Sequence, residues 1–161
     1  MAKICEYYFA PQSPWAYLGH ARLIALAKQY DVQIDMKPID LAKLFSVSGG
    51  LPLAKRPPQR QAYRLVELKR WSAHLGLPLN LQPKFSPASG DAASKLIIAT
   101  KFAHGTDAAL QLTGAIMHAF WADDKNIMDS DTLAGLANDA GYDGAALVKA
   151  SETTSVQNEY D

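Results

Sequence analysis

One cysteine, Cys5, is all that the 161 residues contain. That excludes an internal disulfide, a Cys-x-x-Cys redox pair and a cysteine-built metal cluster. The four histidines, His20, His74, His104 and His118, stand apart, with no second histidine or acid at metal-ligand spacing. Neither sign of charge is in excess, since 16 Lys+Arg face 16 Asp+Glu. A nucleic-acid binder carries a basic surplus, so none is expected as a partner. No apolar run approaches the ~18 residues of a membrane span. Glu6 interrupts what an apolar signal stretch would need near the start. Gly-x-Gly-x-x-Gly and Walker loops are missing, and Ser13 has Gln12 and Pro14 where a nucleophile elbow needs other neighbours. These absences leave a soluble cytoplasmic protein, with no nucleic acid, membrane or metal among its expected partners.

What is present suffices for a core. Apolar residues make up 48% and charged residues 20%, and a chain of this size buries roughly 70% of its extended surface. Residues 3–9 alternate and are rich in aromatics, which predicts a strand. Ala10-Pro11-Gln12-Ser13-Pro14 is a turn, with Ser13 suited to an N-cap and Pro14 to a first helical turn. A helix follows over 15–30, and a second alternating strand over 32–38 ends at Pro38. Strand–helix–strand of this kind makes a parallel pair. After it the pattern is helical only: 40–45, 60–75, 91–103, 107–121, 131–140, then short turns at 143–150 and 155–160. The long gaps, 46–59 and 77–90, are loops rich in Pro, Gly or Ser.

Three groups are candidates for chemistry. Ser13 stands after a strand at a helix N-terminus, where unsatisfied N–H groups and the positive dipole end favour an anion or a thiolate. The same serine also reads as a plain N-cap, which stabilises a helix by ~1 kcal/mol. Lys55, Arg56 and Arg60 with Tyr63 read as a carboxylate site through charge-assisted bonds, or as a solvated basic linker. Cys5, mid-strand with no cationic neighbour, reads as a small hydrophobe. The histidines read as surface or half-buried residues.

A resemblance decides between some of these readings. Tyr7-Tyr8-Phe9-Ala10-Pro11-Gln12-Ser13-Pro14-Trp15-Ala16-Tyr17-Leu18 resembles the first strand and active-site segment of the 2-hydroxychromene-2-carboxylate isomerases. These are relatives of the kappa-class glutathione transferases in the DsbA-like thioredoxin superfamily. Pro38-Ile39-Asp40-Leu41 with Ser48-Gly49-Gly50, Arg60 through Trp71, and Gly76-Leu77-Pro78-Leu79 resemble its later blocks. The resemblance covers essentially the whole chain. It implies an α/β, thioredoxin-like fold: strand–helix–strand with a large all-helical insertion. Residues 1–45 are then the first part of the thioredoxin-like unit, 46–150 the insertion, and 151–161 a return segment. The family goes on to a further helix, a cis-proline loop, two strands and a last helix. This chain is therefore expected to lack those strands, to be weakest in its thioredoxin half, and to dimerise or aggregate through an open strand edge. Helices 60–75 and 91–140 are expected to pack together.

The resemblance also implies an activity. Relatives that exchange disulfides hold Cys-x-x-Cys where this chain has Ser13-Pro14-Trp15-Ala16, so the thiol has to come from glutathione, with the Ser13 hydroxyl bonded to its sulfur. The implied reaction interconverts 2-hydroxychromene-2-carboxylate and trans-o-hydroxybenzylidenepyruvate by reversible thiol addition to a conjugated double bond, on a small aromatic carboxylate. Ser13 is the implied catalytic residue. Ser13, Pro14, Trp15, Gly50, Pro58, Arg60 and Tyr63 are the implied glutathione contacts. A loop asparagine of the kappa enzymes falls at Gly50, and a lysine falls at Arg60, where the charge survives on a planar fork. Lys43 or Lys55 are further candidates for holding a carboxylate, and Trp15, Tyr17 and Tyr63 for walling an aromatic pocket. The alternatives are a kappa-like transferase or peroxidase on another electrophile, and a non-catalytic thioredoxin-like module.

Overall fold

The computed structural model describes residues 3–161. β1 (Lys3–Phe9), α1 (Pro14–Gln29) and β2 (Val32–Pro38) form the predicted unit. β1 and β2 pair in parallel, Lys3 against Val32 through Phe9 against Pro38. They are the only strands among the described residues. The alternation has its expected consequence. Tyr7, Phe9, Ile34 and Met36 turn toward the core, while Ile4, Glu6, Tyr8, Gln33 and Lys37 lie on the other face.

Seven helices follow: α2 (Leu41–Ser48), α3 (Pro58–Leu75), α4 (Asp91–His104), α5 (Thr106–Trp121), α6 (Ser130–Asp139), α7 (Gly144–Ser151) and α8 (Thr154–Tyr160). A single 3₁₀ turn, Leu53–Lys55, lies between α2 and α3. α2 runs three residues beyond the expected end at 45. Asp40 starts it by accepting from the Ala42 and Lys43 N–H groups, and Gly49, at φ 74°, stops it. α3 starts two residues early because Pro58 fits its first turn.

The main core lies between the strand–helix–strand unit and α4–α7. Leu96, Leu112, Ile116, Met117 and Phe120 sit at its centre with Met36 and Phe9 from the strands. A smaller cluster, Ile98, Ala99, Val156 and Tyr160, fastens α8 to α4. α3 packs mainly along α1, and its Leu68 joins the main core cluster. Its one fully buried side chain is Leu68. Trp71, on the same helix, is 42% exposed.

One histidine differs sharply from expectation. His20 is 4% exposed, and both ring nitrogens are engaged, by Tyr7 and by the Leu110 carbonyl. Burial holds its pKa below the ordinary histidine value, with the Leu110 carbonyl opposing in part. The unfolded chain therefore binds a proton here more readily than the native one. This contribution to stability is present above about pH 6.5 and is lost as pH falls through the native pKa. Asp35, Asp129 and Asp161 are held low by their hydrogen bonds and act only at lower pH, below about 4. The wild type is expected to lose melting temperature between about pH 7 and pH 5. His20→Asn should show a flatter profile over that interval. Equal slopes for the two proteins would show that His20 is not the titrating group.

Candidate functional site

Ser13 caps α1 with extended backbone, φ −81° and ψ 124°. Its N–H closes the turn on the Ala10 carbonyl at 2.9 Å, and its Oγ accepts from the Ala16 N–H at 3.4 Å. That contact is long, hence weak. Among the described residues nothing accepts the Ser13 hydroxyl proton, which leaves it free to point outward. The other first-turn donors can be followed one by one. Pro14 has no N–H, Ala16 uses its own on Ser13 Oγ, and Tyr17 bonds the Ser13 carbonyl at 3.1 Å. The Trp15 N–H has no acceptor among the described residues. No acidic side chain occupies that turn, so the positive end of the helix dipole is unneutralised.

Around Ser13 lies a cavity of about 250 Å³, lined by Tyr7, Tyr8, Phe9, Ala10, Ala16, Ile39 and Leu41. The Tyr7 and Phe9 rings stack at 4.5 Å and 22°. Burial pushes the Tyr7 hydroxyl up to about 12, so it stays protonated at neutral pH. Beside Ser13, the Gln12 side-chain oxygen is buried without a partner among the described residues. It lies against Gly90, where a Cβ would fall 2.0 Å from it. Among the described residues the site is thus one uncommitted hydroxyl and one unpaired N–H beside aromatic side chains at a positive helix end. A larger cavity, about 830 Å³, lies at the far end of β2, between α1 and the start of α5.

The remaining sequence candidates fall into two groups. Pro14 is buried in the first turn of α1, and Trp15 is 43% exposed beside Ser13. Pro58, Arg60 and Tyr63 open α3 and are exposed, and none of them lines the Ser13 cavity. The Tyr63 hydroxyl donates to Glu67 at 2.9 Å. Gly50 has a packing reason, since a Cβ would fall 2.3 Å from the Phe45 ring. Tyr17 is not a pocket wall. It is buried in the core, and its hydroxyl donates to the Pro78 carbonyl at 2.8 Å. Lys43 is already paired, with Asp161. Lys55 is exposed at the end of the 3₁₀ turn. Three residues escaped the sequence reading: Gln12, His20 and Arg64. Burial and the nearby Arg56 charge lower the pKa of half-buried Arg64, and no acid pairs with it among the described residues. Its spacing from Arg60, one helical turn, was the signal available.

The DSBA-like thioredoxin domain family matches this chain over residues 4–161. The chain belongs to that family. Among curated relatives of this DSBA-like domain, the 2-hydroxychromene-2-carboxylate isomerase of Sphingobium xenophagum is 29% identical over 161 residues, covering 99% of this chain and 80% of that protein. A solved 2-hydroxychromene-2-carboxylate isomerase shares the fold at TM-score 0.73 and 24% identity, over 98% of this chain and 75% of its own. The cytosolic disulfide reductase DsbM of Pseudomonas aeruginosa, solved with GSH, shares the fold at TM-score 0.71 and 13% identity, over 98% of this chain and 75% of its own. Unlike a dithiol enzyme, this DSBA-like chain carries no thiol from Ser13 to Ala16.

Proposed function

We propose that the protein is a glutathione-dependent isomerase of the 2-hydroxychromene-2-carboxylate type, acting in the cytoplasm on small aromatic carboxylates. The observation that carries the reading is the Ser13 hydroxyl, uncommitted as a donor, beside a free Trp15 N–H at an unneutralised helix N-terminus. A thiolate is the ligand these donors suit. At about 250 Å³ the cavity is smaller than the ~300–1,000 Å³ of a drug-sized site, so it takes a reacting end and not a whole tripeptide. Bound glutathione supplies the thiol that this chain lacks there.

The chain's own residues do the rest. Ser13 Oγ donates a hydrogen bond to the sulfur, and the dipole of α1 lowers the cost of its charge. Tyr7 and Phe9 close the core side of the cavity and keep water from the conjugated bond. Arg60, with Arg56 and Arg64 on the same arm, captures a carboxylate of glutathione or substrate. The names of the relatives support the isomerase reading over a transferase or peroxidase acting on another electrophile.

Isothermal titration with glutathione, followed by the isomerase assay with and without it, tests this reading. Binding at millimolar glutathione and a rate that depends on it are expected. A full rate without glutathione overturns the proposal. Arg60→Ala should weaken binding by about 1–3 kcal/mol, the scale of a lost charged hydrogen bond, with melting nearly unchanged. An unchanged binding constant with a lowered melting temperature would make Arg60 structural.

A further inference from the structure

We infer that His20 positions the wall of the Ser13 pocket by holding Tyr7. The inference rests on the reading of that pocket given above. His20 lies two helical turns beyond Ser13 on α1 and is almost wholly buried. Its Nε2 is 2.9 Å from the Leu110 carbonyl on α5, and its Nδ1 is 3.2 Å from the Tyr7 hydroxyl on β1. A carbonyl only accepts, so Nε2 carries the proton. In the neutral ring Nδ1 is then bare and accepts from Tyr7. The direction of both bonds follows without any hydrogen being seen.

This arrangement consumes the Tyr7 hydroxyl proton and ties the ring. The ring stacks on Phe9 at 4.5 Å and lies 5.8 Å from the His20 ring, centroid to centroid. Tyr7 and Phe9 both line the Ser13 cavity. α5 receives the imidazole closely. At Gly114 a Cβ would come 3.4 Å from the ring, so the glycine brings the helix backbone near. Burial keeps both partners neutral near pH 7, raising Tyr7 and lowering His20, which preserves the polarity of the bonds. An apolar side chain at position 20 would avoid burying polar nitrogens. The imidazole differs from such a side chain in joining β1, α1 and α5 through directed bonds, with the pocket wall at one end.

A purely structural pin and a positioning residue give different results in the folded protein. Tyr7→Phe and His20→Leu should each raise the KM for the aromatic substrate roughly 3- to 30-fold at saturating glutathione, as expected when a binding wall is displaced without being removed. The double variant should have a KM no higher than the worse single one, because both remove the same connection. His20→Asn, which offers Tyr7 an acceptor, should recover part of the loss. Without ligand, ring ¹⁵N shifts should show the Nε2–H tautomer, and both single variants should move the amide resonances of Phe9, Ala10, Ser13 and Ala16. A wild-type KM with a lowered melting temperature overturns the inference, as do strictly additive losses. If the wild type takes up no glutathione, the proposed function falls, and the amide resonances alone decide. If they do not move in folded His20→Leu, His20 does not act on the pocket.

Discussion

Ser13→Ala is expected to fold like the wild type and to lose roughly 10- to 1000-fold in the rate of the proposed isomerisation, the scale for removing one donor to a developing charge. The two parts of this expectation have separate causes. Stability changes little because the cap contact to the Ala16 N–H is long, at 3.4 Å. A cap worth ~1 kcal/mol at good geometry contributes less here. The rate changes much because the hydroxyl proton has no protein acceptor among the described residues, which leaves it to bond the sulfur in the proposed reaction. The fall should appear in the turnover rate more than in the apparent affinity for glutathione, since contacts away from the thiol are untouched. Raising the pH should restore part of the loss, because a thiolate that the protein no longer stabilises still forms in alkali. Cys5→Ser is the matching control. Cys5 sits on β1 outside the Ser13 cavity, so its loss should leave the rate intact. An unchanged rate in Ser13→Ala would remove Ser13 from the mechanism.

The parts of this molecule that were legible in sequence are those set by near neighbours in the chain. Alternation over Lys3–Phe9 and Val32–Pro38 fixed both strands, and the Ser13-Pro14 pair fixed the start of α1. α2 ends at Ser48, three residues past the expected stop; its last turn, Ser46-Val47-Ser48, has a loop's composition and so reads as loop. Gly49, at positive φ, was the better stop signal. What depends on distant contacts was not visible. Lys43 and its partner Asp161 are 118 positions apart. Tyr17 could equally have been a pocket wall, and only the Pro78 carbonyl, brought beside its hydroxyl by folding, makes it part of the core. His20 was hidden most completely, since polar residues along α1 are normally taken for its solvent face. The cause is local again at Ser13, where one residue type at one helix start supplies both the cap and the donor on which the proposed chemistry rests.

Leu68→Ala tests how α3 is held, and should be among the most destabilising single changes in the chain. α3 is 18 residues long, yet Leu68 is its only fully buried side chain, at 0% exposure. Leu65 and Leu75 are partly buried on the same side, while Tyr63, Val66 and Trp71 are exposed. Truncating a buried leucine costs about 2–5 kcal/mol from lost transfer energy and the cavity left behind. For a chain of this size, 3 kcal/mol lowers the melting temperature by about 6–12 °C. The loss should also be local. α3 lies along α1 and enters the main core only through Leu68 among its fully buried side chains, so without that anchor it can open while the rest stays folded. Amide protection should therefore fall first over α3, whereas Leu112→Ala, in α5, should lower protection throughout. Val66→Ala is the exposed control, expected within about 0.5 kcal/mol. Because Arg60 rides on α3, Leu68→Ala should also weaken glutathione binding if that arginine captures a carboxylate, while Ser13 keeps its cap. A stability change no larger than that of Val66→Ala would mean that the partly buried leucines, not Leu68, fasten this helix.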